Sequence, residues 1–311
     1  MKHQAQLAVA FAAWAFTLSA AAQEPAPTSS GQGIPAGSSL AVDASLKFAW
    51  EVPARGEWDL VLGAWLPRFE GTLRWGGTGT EFEASDLDLD DLEATFAGDL
   101  SWRNEWVRAT IGGFDFSTSG AAILPAGSVV GGTTLNLATA ADTAASMWSV
   151  GGQVAVTLWR PFAPQTAIWN EPVASPRGIG PRGSSVDLSF EALLALRYLA
   201  LEQSLTTASG RVAFDQTAFC VGIGGGMRFR WLPAEVFPPM HGLDVVASAA
   251  VGPALLGGGS FVQVEAAVEW EVCRNFAARF GYRLLDWTLE SDGDRSVAGL
   301  QGLFVGGRIS F

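Results

Sequence analysis

TAFCVGIGGGMRFRW, residues 217–231, places two different kinds of side chain at alternate positions. One set is large and apolar and includes Phe219, Ile223 and Phe229, whereas the set between them is small or basic and includes Arg228 and Arg230. A repeat of two is the period of a β-strand, whose successive side chains point to opposite faces. The stretch therefore predicts a strand with one apolar face and one face of glycine and paired charge.

The same alternation recurs along most of the chain. It is clear in 185–203 and in 260–272, where valine, leucine and phenylalanine alternate with acidic and small residues. Ten segments carry it: 57–76, 88–102, 105–118, 144–160, 185–203, 217–231, 243–256, 260–272, 275–290 and 297–311. Ten strands without an intervening helical pattern predict an all-β fold.

The composition indicates that these strands cross a membrane. Hydrophobic residues make up 49% of the chain and charged residues only 16%, and the mean hydropathy is +0.23. After the N-terminus no apolar run approaches the roughly 20 residues that a spanning helix needs. Apolar residues spread along alternating strands are typical of membrane barrels. We therefore expect a closed antiparallel transmembrane β-barrel of about ten strands, with eight or twelve as the alternatives.

The N-terminal region predicts export. Lys2, an apolar core over 7–18 and small residues at 20–22 form the pattern of a secretory signal peptide, with cleavage after Ala22. The predicted organisation is a signal peptide at 1–22, a flexible leader at 23–56 with an additional strand at 40–52, and a barrel at 57–311. Loss of Lys2 takes the net charge from −12 to −13. Nucleic acid is therefore not an expected partner, because phosphate contacts need a basic face.

Connection lengths predict which end of the barrel faces outward. The tight turns at 103–104 and 273–274 follow the second and eighth strands, so they lie at the same end. The long stretches 77–87 and 119–143 lie at the opposite end. Short periplasmic and longer outer connections are usual in outer-membrane barrels, although 161–184 and 232–242 are long periplasmic exceptions. Tryptophans near strand ends predict interfacial girdles; they are Trp58, Trp102, Trp106, Trp148, Trp159, Trp231, Trp270 and Trp287.

Three stretches together resemble a family of bacterial outer-membrane β-barrel proteins, mostly of unassigned function. GAWLPRFEG at 63–71 is similar to the W-x-P-x-x-x-G first strand of that family, and 88–117 to its acidic loop, tight turn and second hairpin. FGYRLLDWTLE at 280–290 matches a G-Y-R-x-L-D penultimate strand, and the chain ends in Phe311. The resemblance implies an outer-membrane location, contact with outer-membrane lipid, and recognition by the barrel-assembly machinery through the C-terminal strand. It implies no ligand.

The sequence argues against catalysis. Outer-membrane phospholipases, lipid A deacylases and omptin proteases need a histidine as general base or in a water-activating pair. Of the two histidines, His3 leaves with the signal peptide and His241 falls in a predicted periplasmic turn. Cys220 and Cys273 are expected at opposite ends of their strands, too far apart for a disulfide. We expect no enzyme activity and no cofactor.

Charged residues on the small-residue faces are the richest candidate site. We expect them to point into the lumen, where each buried charge needs a partner. The basic members are Arg197, Arg228, Arg230, Arg279, Arg283 and Arg308; the acidic members are Asp59, Asp99, Asp187, Glu191, Glu265, Glu269 and Glu271. One interpretation is a structural ion-pair network that fills the lumen of a non-enzymatic structural or surface-interaction protein. The alternatives are a narrow channel for small polar or anionic solutes, and a secreted soluble β-protein that binds an apolar ligand.

An acidic stretch, SDLDLDDLE at 85–93, resembles the start of a calcium loop. An EF-hand loop that begins at Asp86 requires glycine at its sixth and glutamate at its twelfth position, where this chain has Asp91 and Ala97. The alternation instead predicts that the first outer loop descends here into the second strand, with Asp86, Asp88 and Asp90 on one face. Surface calcium at these three aspartates is a weaker alternative.

Overall fold

A computed structural model describes residues 57–104, 106–161, 185–232, 240–256, 258–273, 275–291 and 293–311. The elements are β1 Glu57–Arg74, β2 Glu81–Glu83, a 3-10 helix Ala84–Leu87, β3 Thr95–Arg103, β4 Val107–Leu124, β5 Val129–Val130, β6 Thr133–Thr134, β7 Thr139–Trp159, β8 Ser185–Thr207, β9 Gly210–Leu232, β10 Gly242–Leu256, β11 Gly259–Cys273, β12 Phe276–Ser291 and β13 Asp294–Ser310. In the described ranges, no helix has the length and apolarity needed to span a membrane.

Ten of these strands form one antiparallel ring. The hydrogen-bonded order is β1, β3, β4, β7, β8, β9, β10, β11, β12 and β13, and β13 pairs again with β1. The closing pair is continuous from Asp59 opposite Ser310 to Arg74 opposite Arg295. The prediction of an all-β closed antiparallel barrel with about ten strands is confirmed. The predicted signal peptide, the leader with its 40–52 strand, and nearly all of the 161–184 connection lie outside the described residues.

The two ends of the barrel differ in their connections. We call the end that holds Trp58 and Phe311 the terminal end, and these residues exchange backbone hydrogen bonds of 3.0 and 2.9 Å. The tight turns after β3 and β11 lie at this end, as the sequence predicts. The opposite end, the loop end, carries the connections after β1, β4, β8, β10 and β12.

Several strands continue toward the loop end beyond their predicted limits. β4 extends to Leu124 and β7 begins at Thr139, so both ends of the predicted connection 119–143 are paired strand. β8 and β9 remain paired up to Thr207 and Gly210, where 204–216 was expected as a loop. Backbone pairing persists there although the outward face has become polar, as at Thr206 and Arg211. The apolar side chains, such as Leu205 and Phe214, lie on the inward face instead.

The acidic stretch does not descend as a strand, and that expectation is wrong. Residues 84–87 form a 3-10 turn, Asp88 adopts the left-handed conformation (φ 56°), and β3 starts only at Thr95. Leu87 and Leu89 are almost fully buried (0 and 1% exposed). The alternation of aspartate and leucine therefore belongs to a compact turn, which buries its leucines in the barrel core and leaves its carboxylates at the edge of the core.

The outward faces carry an apolar belt. Large side chains exposed on it include Leu62, Ile111, Val154, Val156, Leu194, Leu196, Ile223, Val251, Val268, Phe280, Leu303, Val305 and Ile309. Trp58, Trp106, Trp159 and Trp270 are exposed at its terminal-end margin. Trp148, whose ring lies 5.7 Å from that of Tyr198, is exposed nearer the loop end. The stretch from Trp148 to Trp159 has the length of a tilted membrane-crossing strand, about 9–11 residues.

Candidate functional site in the barrel interior

The inward-facing residues change character along each strand. On β8 the change falls between Arg197 and Leu199, and on β12 it falls between Arg283 and Leu285. Toward the terminal end the inward positions carry charges, and we call this part the charged half. Toward the loop end they carry large apolar side chains, and we call this part the apolar half.

Asp244 is the most buried carboxylate of the charged half. Its side chain is completely inaccessible to solvent, and three arginines surround it: Arg228 at 2.5 Å, Arg308 at 3.5 Å and Arg230 at 3.6 Å. A buried carboxylate is costly unless it is paired and hydrogen-bonded. The three guanidinium groups provide this compensation, so Asp244 on β10 links its neighbour β9 to β13, which lies three strands away around the ring.

Two glutamates of β11 extend this cluster around the wall. Arg308 lies 2.9 Å from both Glu269 and Glu271. Arg230 also reaches Glu271 at 2.9 Å, and Arg279 reaches Glu269 at 2.7 Å. Since each group has more than one partner, fixing one side chain restricts its neighbours, and the cluster is a connected network rather than a set of separate pairs.

A second group of pairs lies nearer the middle of the barrel. Arg283 on β12 contacts both Asp99, on β3 three strands away around the ring, and Glu265, which also pairs with Arg279. Gly112 makes room for Asp99, because an added Cβ would lie 1.9 Å from its Oδ1 atom. The lumen is therefore crossed by charge-assisted hydrogen bonds at this level.

The structure brings most of the predicted lumen residues together. Glu191 pairs with Arg108 at 2.7 Å, Asp187 with Arg160 at 2.7 Å, and Asp59 with Arg103 at 3.3 Å. The sequence analysis missed these three arginines and Asp244. Arg103, Arg108 and Asp244 stand at the inward parity of β3, β4 and β10 but near strand ends, where the apolar alternation is short. Extending the parity of β4 and β10 would have identified Arg108 and Asp244. Arg160 follows the end of β7 at Trp159, beyond a shift in register, so parity does not predict it.

Arg197 differs from the other predicted arginines. It forms no ion pair with any described residue: Nε donates to Gln263 Oε1 at 3.2 Å and Nη1 donates to Ser149 Oγ at 2.8 Å. Gln263 in turn donates to Gln153 Oε1 at 3.3 Å. All three of Arg197, Gln263 and Gln153 line a cavity of about 110 Å³ at the boundary between the two halves.

The apolar half is a packed core rather than an open lumen. The rings of Trp65 and Phe114 pack edge to face with their centroids 4.8 Å apart, and the ring centroids of Phe69 and Trp287 are 6.1 Å apart. Other fully or almost fully buried members are Leu73, Trp75, Phe82, Leu87, Leu89, Phe116, Leu124, Met147, Leu199, Leu201, Leu205, Phe214, Phe261, Leu289, Leu300 and Phe304. The expectation of a lumen filled by charge is therefore incomplete, since charge occupies only one half. Trp287, expected in a girdle, instead faces inward, because it shares the parity of Arg283.

The three aspartates of the acidic stretch each have a protein partner. Asp86 accepts the Glu83 backbone N–H at 3.3 Å, Asp88 accepts the Ala121 backbone N–H at 3.3 Å, and Asp90 pairs with Arg68. In the part of the chain that the structure describes, no group of three histidine, cysteine or acidic residues is arranged to hold a metal ion. The aspartates hold the turn in place against β1 and β4.

The remaining residues considered for chemistry lie apart from one another. Cys220 is buried, Cys273 is exposed, and both are free thiols. The backbone N–H of His241 donates to the Glu271 carbonyl oxygen at 2.7 Å at the terminal end. Cys220 faces the barrel interior from β9, whereas Cys273 ends β11 at the same end of the barrel as His241.

Comparison with known proteins finds matches for this chain among solved structures. No protein-family model and no curated relative matches it. Among the solved structures that match, the attachment invasion locus protein Ail of Yersinia pestis has 10% identity and a TM-score of 0.33, and the match covers 83% of this chain and 99% of Ail. The CymD monoaromatic hydrocarbon channel has 12% identity and a TM-score of 0.26, with 83% of this chain and 89% of CymD covered. An anion-selective porin from Comamonas acidovorans has 10% identity and a TM-score of 0.21, with 82% of this chain and 100% of the porin covered. These TM-scores and identities are too low to carry an argument about function.

Proposed function

We propose that the protein is a non-enzymatic β-barrel of the bacterial outer membrane, with a structural or surface-interaction role and an interior closed to bulk solute flow. The observation that carries the proposal is the combination of an apolar exterior with a filled interior. Its partners would be outer-membrane lipid and, during insertion, the assembly machinery that reads the C-terminal strand.

The exterior supports insertion into a bilayer. A closed ring leaves no unpaired strand edge, so all backbone groups in the ring can be satisfied without water. The belt that contains Ile223, Val251 and Val305 exposes large apolar side chains on neighbouring strands. Such a belt would be unfavourable in water and is favourable against lipid.

The interior supports closure. Leu87 and Leu89 enter the apolar half from the loop end, and the Thr143 hydroxyl donates to the Leu87 carbonyl oxygen at 2.6 Å. The charged half is crossed by the pairs of Arg283 and Arg308. An ion would have to pass a dry aromatic core and then separate several buried ion pairs, and both steps are costly.

Fractionation with gel electrophoresis tests the membrane assignment. We expect the protein in the outer-membrane fraction, released only by detergent, with unboiled protein migrating differently from boiled protein. Recovery in the soluble periplasmic fraction, with identical migration before and after boiling, would instead favour the secreted soluble β-protein.

Planar-bilayer recording tests closure. The cavity beside Arg197 favours a second candidate, a narrow channel for small polar or anionic solutes. For the closed barrel we expect a bilayer that stays silent after insertion is verified by protease protection. Regular conductance steps with anion selectivity would support the channel and overturn the closed interior.

A further inference from the structure

We propose that Arg197 and the cavity beside it form a binding site for one small inorganic anion of about the size of chloride. This site goes beyond the proposed structural role. It would hold an anion in the barrel whether or not the barrel conducts.

The charge of Arg197 is the first argument. A guanidinium stays protonated in proteins, so burial cannot neutralise it. Its two recorded hydrogen bonds go to neutral oxygens, of Gln263 and Ser149. The carboxylates that line the same cavity, Asp99 and Glu265, already pair with Arg283 and Arg279. Arg197 therefore lacks a direct counter-charge from the described protein, in a region where an uncompensated charge is costly.

The composition of the cavity wall is the second argument. Four arginines but only two carboxylates line it: Arg108, Arg197, Arg279 and Arg283 against Asp99 and Glu265. The Nε atoms of Arg108, Arg279 and Arg283 are buried without a hydrogen-bond partner. Arg108 and Arg279 also pair with Glu191 and Glu269 outside the lining, so the excess positive charge at the cavity is that of Arg197. This charge and the unpartnered donors favour an anion over a cation or an apolar ligand.

The size of the cavity limits the ligand. At about 110 Å³, and with about 15 Å³ for each water-sized probe, it holds roughly seven waters. A monovalent ion such as chloride or nitrate fits with part of its hydration shell. A sugar acid such as gluconate is bulkier and would lose more of its hydration shell on entry, and this difference separates binding in the cavity from general screening of charge.

Gly151 positions the guanidinium at the wall. A Cβ added there would lie 3.2 Å from both Cζ and Nη2 of Arg197. The absence of a side chain lets the guanidinium lie flat against β7. A larger residue at 151 would displace it from the cavity without removing any charge.

Thermal unfolding of the detergent-solubilised protein tests the site. Chloride is exchanged for gluconate at constant ionic strength, and the midpoint of the gel-mobility transition is measured. A ligand that binds only the folded state raises this midpoint in a saturable way. We expect such a rise for the wild type and for Arg211→Met, which removes an exposed arginine paired with Glu202. We expect its loss in Arg197→Met.

Two further measurements keep the test decisive. If Arg197→Met does not fold, Gly151→Val should show the same loss of chloride dependence. In the wild type alone, nitrate should replace chloride in raising the midpoint. A midpoint that is independent of chloride in the wild type, or that rises equally in Arg197→Met, would overturn the site; conductance and fractionation test the proposed function separately.

Discussion

The two halves of the interior fill the same ring of strands in different ways. The charged half relies on directed contacts, as where Arg308 bridges Asp244, Glu269 and Glu271. The apolar half relies on close packing of residues such as Trp65 and Phe69, completed by a loop-end turn. Removing a group from the first leaves charges without partners, whereas removing a group from the second leaves a void. The consequences should therefore differ in size and kind.

The largest effect is expected from Asp244→Asn. Loss of this carboxylate leaves Arg228 and Arg230 beside a neutral amide and weakens the contact of Arg308. Breaking a buried pair in this way costs about 3–5 kcal/mol. Urea unfolding in lipid vesicles, followed by tryptophan fluorescence, measures the free energy of unfolding. Asp215→Asn, at an exposed position of β9, is the matched control, and an equal loss in both variants would contradict the central role of Asp244.

Leu87→Ala tests the apolar half. Leu87 is fully buried among the aromatic residues of the core, and truncation of such a leucine costs about 3 kcal/mol through lost burial and the remaining cavity. The same unfolding measurement gives the change. Leu92→Ala is the control, because Leu92 lies a few residues further along and is 70% exposed. Similar stabilities for the two variants would mean that the turn does not complete the core.

Gly112→Ala tests the boundary between the halves. The new methyl group would displace the Asp99 carboxylate from Arg283, and overpacking of this kind costs about 2 kcal/mol. At Gly152 an added Cβ would meet only the Thr110 carbonyl oxygen at 3.7 Å. Gly152→Ala should therefore unfold at nearly the wild-type urea concentration. Wild-type stability of the Gly112→Ala variant would show that Asp99 can pair with Arg283 from another position.

Arg68→Met should have the smallest effect. Arg68 donates to the Asp90 carbonyl oxygen at 2.7 Å and pairs with its carboxylate, but its side chain is 49% exposed. Solvent screening limits such a pair to about 0.5–1 kcal/mol. Limited proteolysis of the 81–94 segment, compared with the Arg211→Met variant, reports whether this contact holds the turn against β1. Unchanged cleavage would assign that task to the buried leucines.

The sequence predicted the ring of strands more fully than the side-chain contacts inside it. A period of two identifies a strand wherever one face of the strand lies in apolar surroundings. The sequence alone therefore predicts ten strands and the inward orientation of Arg228 and Arg308. The period of two fails where the apolar face changes from the outside of the barrel to the inside, as at the loop-end extensions of β8 and β9. It also cannot distinguish a strand from a turn in the stretch 84–90, because alternation of aspartate and leucine suits both.

The contents of the interior depend on contacts across the ring. Asp99 and Arg283 are 184 positions apart in the chain, and nothing local marks them as partners. Arg197 was predicted to face inward, but its lack of a carboxylate partner among the described residues follows only from where its neighbours point. The inward position of Trp287 was missed because this residue was considered a girdle tryptophan, although strand parity assigns both it and Trp65 to the core.

The seam between β1 and β13 sets the order in which the molecule can be completed. Trp58 and Phe311 join the two ends of the described chain, so the ring cannot close until the last strand has been delivered. Contacts between such distant residues carry a high entropic cost and form slowly. Until then β1 and its growing sheet expose unpaired edges, which are sites of aggregation. Pairing of the last strand, through Phe311, with β1 thus converts an open sheet with exposed edges into a closed ring without edges.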